Sequence, residues 1–235
     1  LETVTLNEGL TQMRSEAFEL CTALQTLSLP STLEVIPGKA FYNCVKLQNI
    51  QWAEGVKTIG QSAFGSANLC ILVLPNSIER IESEAFRYAG VTNVVFGENI
   101  EQIGGGAFAS TVYTGSGSYC HLKSISFKKC KKLKTIGESA FSGGSFSTLT
   151  LPSTLQTIGN YAFESVDSGT LNIYCDAVTP PTIGGRTFGY EYDSGRYSTP
   201  FIGKRSLKVY VVSGSEEAYK AANYWKDAVS IEAYK

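Results

Sequence analysis

One histidine, one methionine and 17% charged residues mark the scarcities of this 235-residue chain. With His121 as its sole imidazole, it lacks the usual partner for a serine or cysteine nucleophile. Zinc needs clustered Cys or His, and the six cysteines contain no C-x-x-C pair. No apolar run approaches the ~18–20 residues that span a bilayer. No charged segment followed by an apolar one opens the chain, so no signal peptide is read here. A net charge of −1 gives no overall pull toward nucleic acid or an anionic membrane. At 43% hydrophobic, the chain is too apolar and too weakly charged for disorder.

What is present is a repeat. Ala-Phe pairs begin at Ala17, Ala40, Ala63, Ala85, Ala107, Ala140 and Ala162, with a variant at Thr187-Phe188, so the steps are 23, 23, 22, 22, 33, 22 and 25 residues. A fixed period in this range means stacked units rather than one globular core. One unit runs Leu24, Leu27, Leu29, Pro30, Leu33, Ile36, Ala40, Phe41, Cys44; the next has Leu47, Ile50, Trp52, Val56, Ile59, Ala63 and Phe64. The same slots recur from Leu1 to Phe163, with two extra residues before Leu133.

Each slot has a physical reading. Leu27-x-Leu29 alternates, so it is a strand with Leu27 inward and Thr26 and Ser28 outward. Pro30, Pro75 and Pro152 close that strand because proline has no N–H for a ladder. Ile36, Ile59, Ile81, Ile103, Ile136 and Ile158 bury a second short extended segment, and Gly60, Gly104, Gly137 and Gly159 are expected to turn the chain after it. Ala-Phe is expected on a helical or 3-10 turn, the ring filling the coil.

These slots resemble the BspA-like class of bacterial leucine-rich repeat, with a pattern close to L-x-x-I-x-L-P-x-x-L-x-x-I-G-x-x-A-F-x-x-C. The resemblance implies a right-handed curved α/β solenoid of about eight repeats of 22–23 residues with a C-terminal cap. The whole chain, 1–235, is expected as one such solenoid. Repeats fill 1–188 with an insertion at 109–121; a second insertion spans 189–206; a strand and capping helix fill 207–235. Membership also implies an extracellular or surface-attached bacterial protein, implicated in adhesion and contacting a protein or glycan. Leu1 already occupies a repeat slot, so a trimmed chain with its secretion signal or anchor removed is expected.

The tail makes sense as a cap. Ser213-Gly-Ser-Glu216 has capping-box spacing, and Ala218, Ala222 and Trp225 fall on one helical face. A solenoid end exposes its core and needs such a shield; no matching N-terminal cap is visible. Cys21 and Cys44 share a slot and should stack at the ~4.7–4.9 Å strand spacing. Their side chains then point parallel, which disfavours a disulfide, so buried free thiols are expected.

The search for chemistry yields no catalytic, cofactor or metal residues. His121 adjoins Cys120 in an insertion, where a solvated loop residue is the default reading. Gly104-Gly105-Gly106 lies in the repeat register and lacks the strand–helix setting of a nucleotide cradle. Glu191 and Asp193 sit in a loop with nothing to hold them at glycosidase separation. A non-enzymatic, monomeric binding module is therefore expected, with a structural spacer as the alternative.

Three features are candidates for binding. Outward strand positions Thr26, Ser28, Asn49, Gln51, Asn93, Ser124, Ser126, Thr148 and Thr150 form a small polar stripe, which a plain solvated sheet face also explains. The second insertion carries Tyr190, Tyr192, Arg196 and Tyr197 near Phe201, residue types enriched at hot spots. Rings packed on the solenoid flank are the other reading of that loop. Lys128, Lys129, Lys131, Lys132 and Lys134 form a basic cluster, read either as a solvated turn or as a polyanion contact.

Overall fold

A computed structural model describes residues 1–110, 121–164, 169–185, 187–188 and 206–235. The two extended slots of each repeat become two rows of parallel strands, numbered in chain order. The first row holds β1 (Thr3–Thr5), β2 (Thr26–Ser28), β4 (Asn49–Gln51), β6 (Ile71–Val73) and β8 (Asn93–Val95). It continues with β10 (Ser124–Ser126), β12 (Thr148–Leu151), β14 (Leu171–Cys175), β16 (Leu207–Val211) and β17 (Ser230–Ala233). The second row is β3 (Val35–Ile36), β5 (Thr58–Ile59), β7 (Arg80–Ile81), β9 (Gln102–Ile103), β11 (Thr135–Ile136), β13 (Thr157–Ile158) and β15 (Thr182–Ile183).

Register follows the repeat, slot over slot. Leu27 lies between Val4 and Ile50, and Ile59 between Ile36 and Ile81. The second row is an unbroken seven-stranded sheet, whereas the first is cut into β1-β2-β4, β6-β8-β10 and β12-β14-β16-β17. The result is a parallel-strand solenoid of about nine turns, which replaces the expected eight repeats. We number the coils by their first-row strand, so β10, β12 and β14 open coils six, seven and eight.

The third side of each coil corrects the helical expectation. Lys39 and Asn43 flank Ala40-Phe41 at φ 54° and 58°, and Glu84 and Tyr88 flank Ala85-Phe86 at 59° and 58°. This alternation with left-handed residues sends successive amides opposite ways. The N–H groups of Lys39, Phe41 and Asn43 donate to Gln61, Ala63 and Gly65 in the next coil. Those of Ala40, Tyr42 and Cys44 donate back to Pro37, Lys39 and Phe41. A helix would spend its amides inside its own coil; these turns stitch each coil to its neighbour. Little helix remains: the described residues hold one short α-helix and one 3-10 turn, both in the cap. None is long and apolar enough to cross a membrane.

The glycines after the isoleucine strands also have a different reason from the one expected. Gly60, Gly104, Gly137 and Gly159 are not among the residues with positive φ. A Cβ on Gly60 would lie 2.7 Å from the Gly38 nitrogen, and one on Gly137 2.6 Å from the Gly105 nitrogen. Close backbone approach between coils, not turn conformation, excludes a side chain there.

Inside, the Ala-Phe rings form a column. Neighbouring centroids from Phe18 through Phe41, Phe64, Phe86, Phe108, Phe141 and Phe163 to Phe188 lie 5.1–5.7 Å apart with nearly parallel planes. The small Ala slot admits this approach, and Ala40, Ala63 and Ala85 are fully buried. Thr187 fills the same slot without strain on polarity, because its hydroxyl lies 2.8 Å from the Gly184 carbonyl. Cys44 and Cys21 are free; Cys44 is buried, as expected, whereas Cys21 is only half-buried, and the Cys44 thiol faces the Phe18 carbonyl at 3.2 Å.

Trp225 ends the column at 5.5 Å from Phe188. The helix α1 (Glu216–Ala221) is capped at Ser215 rather than Ser213, and no side-chain capping bond forms. Instead the Glu216 carboxylate accepts the Gly214 N–H at 2.7 Å. Ala218 is exposed; Tyr219, from the helix, and Trp225, from the 3-10 turn Trp225–Asp227, supply the buried shield. At the other end Phe18 is half-buried and Leu20 is exposed.

Candidate binding groove

The first-row strands face outward where the sequence placed them. Asn49, Gln51, Ser124, Thr148 and Thr150 are exposed, and Thr26, Ser28, Asn93 and Ser126 are half-exposed. The same register puts Ile71 and Val73 outward on β6, at 69% and 57% exposure. The stripe is therefore not uniformly polar. On β14 and β16 it carries Tyr174 and Tyr210, stacked at 4.7 Å.

A deeper feature lies on the flank between the two strand rows. The connection in coil seven, 152–156, is shorter than its neighbours, 127–134 in coil six and 176–181 in coil eight. The eight-residue connection of coil six beside the five-residue one of coil seven leaves a trough. A cavity of about 690 Å³ occupies it, lined by Lys131, Lys132 and Lys134 from coil six, Ser153 from coil seven, and Val178 and Pro180 from coil eight. A second cavity of about 500 Å³ opens beside it at the break between β10 and β12, and both touch Ser153 and Asp176. Such volumes fall in the range of ligand sites.

The walls differ in chemistry. On the coil-six side Lys131 reaches Glu98 at 2.8 Å and Lys134 reaches Glu101 at 3.7 Å. The hydrogen bond from Lys131 holds the Glu98 carboxyl below its ordinary range. Lys128, Lys129 and Lys132 are exposed beside them. On the coil-eight side Val178 is 65% exposed. That segment is held from within by the cap: the Tyr219 hydroxyl donates to the Ala177 carbonyl at 2.8 Å, and the Trp225 indole N–H to the Pro181 carbonyl at 2.8 Å. Burial pushes the Tyr219 hydroxyl upward in pKa, so it stays protonated and a donor. Asp176 closes one end, bonded to Tyr234 and paired with Lys235.

Of the residues singled out in the sequence, the structure gathers Lys131, Lys132 and Lys134 on one wall and sets Lys128 in the adjoining cavity. Tyr190, Tyr192, Arg196 and Tyr197, with Phe201, Glu191 and Asp193, lie outside the described residues, as does Cys120. His121 is no solvated loop residue: it is half-buried, and its Nδ1 lies 2.8 Å from the Gly143 carbonyl, so that nitrogen carries the proton. Val178 and Pro180 were missed as site residues.

Stacked parallel coils with leucine and isoleucine strands and a ring column define a leucine-rich-repeat solenoid. The profile of the BspA type leucine rich repeat region matches residues 1–115 and 113–192, with 6 copies. The chain belongs to that family. Among solved structures it is similar to a leucine-rich repeat protein from Bacteroides ovatus, at 20% identity over 99% of this chain and 69% of that one, TM-score 0.59. It is similar to a leucine rich cell surface protein from Faecalibacterium prausnitzii, at 16% identity over 100% and 88%, TM-score 0.55. A leucine rich repeat protein of T. pallidum aligns at 24% identity over 78% and 73%, TM-score 0.51. At these identities the likeness is one of fold. A comparison with curated proteins gives no match.

Proposed function

We propose that this chain is a non-enzymatic binding and adhesion module of a bacterial surface or secreted protein, contacting a protein or glycan of a host or neighbouring cell. The observation that carries it is the trough over coil seven, a concave surface with lysines on its coil-six side and Val178, Pro180 and Pro181 among the threonines of its coil-eight side. Solenoids use such extended surfaces for recognition. An extracellular or surface location accords with the family and with the cell surface protein of F. prausnitzii. The 189–206 segment, with Tyr190, Tyr192, Arg196 and Tyr197, is a second contact under this reading, since insertions in solenoids map to functional faces.

A structural spacer is the second reading, favoured by the small polar residues along β2, β4 and β12. Beads coated with the protein and offered to layers of epithelial cells separate the two. The binding module predicts adhesion that soluble protein competes away, and a spacer predicts none above bare beads. A Tyr190→Ala, Tyr192→Ala, Tyr197→Ala triple variant that keeps its melting temperature and loses adhesion places the contact on the loop.

A further inference from the structure

We propose that the trough over coil seven binds an extended acidic peptide segment whose alternate side chains are apolar. This rests on the reading of the chain as a binding module and names the partner's chemistry.

Three observations converge. The lining carries Lys131, Lys132 and Lys134 against two carboxylates, Glu101 and the Lys235-paired Asp176, so its balance is cationic and favours carboxylates in a chain whose net charge is −1. Lys131 and Lys134 lean on Glu98 and Glu101, but their side chains are 70% and 54% exposed. Exposed pairs of this kind are worth little, so both ammonium groups can turn to an incoming anion. Opposite them, Val178 and Pro180 offer hydrocarbon. A sulfated or uronic glycan, charged along its whole length, gains less from that wall than an extended peptide with apolar side chains does. Its successive side chains point to opposite sides, one set to the lysines and the next to Val178.

The apolar wall is also built in advance. Tyr219 and Trp225 are fully buried and bond the carbonyls of Ala177 and Pro181, fixing both ends of the segment that carries Val178 and Pro180. A pre-ordered wall spares the ordering entropy that a mobile loop loses on binding. The Pro180-Pro181 pair adds stiffness of its own.

The test is a fluorescence-polarisation titration of the intact protein at low salt. The probes are a short labelled peptide alternating glutamate with leucine, its glutamine-for-glutamate twin, and a sulfated glycosaminoglycan. The glutamate peptide is expected to bind and the twin to bind far more weakly. A Lys131→Glu, Lys132→Glu double variant and a separate Val178→Asp variant should each weaken it about tenfold or more. All these positions are exposed, so melting temperatures should not move. Failure of the peptide to bind, or binding indifferent to both variants, overturns the proposal. Glycosaminoglycan binding that Val178→Asp leaves intact, with no peptide binding, reassigns the lysines to a polyanion and also overturns it. Bead adhesion that persists when the peptide fails leaves the binding-module reading standing while this inference falls.

Discussion

Trp225 donates its indole N–H to the carbonyl of Pro181 at 2.8 Å, 44 residues apart in sequence. One side chain thus does two things: it closes the phenylalanine column at Phe188 and holds the apolar wall of the trough. Trp225→Ala should cost ~3–5 kcal/mol in urea unfolding, the range for a large buried aromatic. Trp225→Phe keeps most of the packing but orphans a carbonyl, at about 1–3 kcal/mol. It should also weaken the glutamate–leucine peptide without touching the trough surface. Unchanged peptide affinity in a folded Trp225→Phe protein would separate the cap from the wall.

The ring column makes a second prediction. Phe64 stacks between Phe41 and Phe86 at 5.3 and 5.4 Å and is fully buried. Phe64→Ala should lose ~3–5 kcal/mol. Ala63→Asp should be at least as damaging, since a carboxylate would enter a dry slot unpaired. Circular dichroism melts unmoved by both would break the proposed register.

Backbone geometry yields a third. Gly137→Ala should destabilise by roughly 1–3 kcal/mol, because the new Cβ meets backbone atoms of Gly104 and Gly105 inside 3.0 Å. Lys39 stands at φ 54°, where glycine is at home. Lys39→Gly should be neutral within about 1 kcal/mol, while Lys39→Val should cost about 1–2 kcal/mol. The opposite ranking of these two at position 39, read in chemical denaturation, would contradict the left-handed turn.

Thiol reactivity supplies a fourth. Burial lifts the Cys44 thiol to about 11 and the Cys130 thiol to about 12. At pH 8 both should be almost wholly protonated and slow toward a disulfide reagent, while exposed Cys70 reacts quickly. With the five described cysteines free, the denatured protein without reductant should titrate close to six thiols. Two missing thiols would indicate a bridge.

Much of the fold was legible because its cause is periodic. The slots from Leu24 to Cys44 recur in fixed order, so strand rows, slot-over-slot pairing and the buried Ala-Phe pairs could be read directly. The turns could not. Lys39, Ser62, Glu84 and Tyr161 share a left-handed backbone yet nothing in chemistry, so no residue signature marks them. Tyr219 was passed over because its role comes from Ala177, which a long connection brings beneath it. The lysines of coil six were visible as a cluster, but their site was not. A trough made by unequal connection lengths belongs to three coils at once, and no single repeat contains it.

Hydrogen-exchange mass spectrometry of the intact protein, with and without the glutamate–leucine peptide, tests the central claim most directly. The account predicts slowed exchange confined to 127–134, 152–156 and 176–182, with coils one to four unchanged. No slowing in those segments, or slowing centred on β2 and β4 instead, would contradict it.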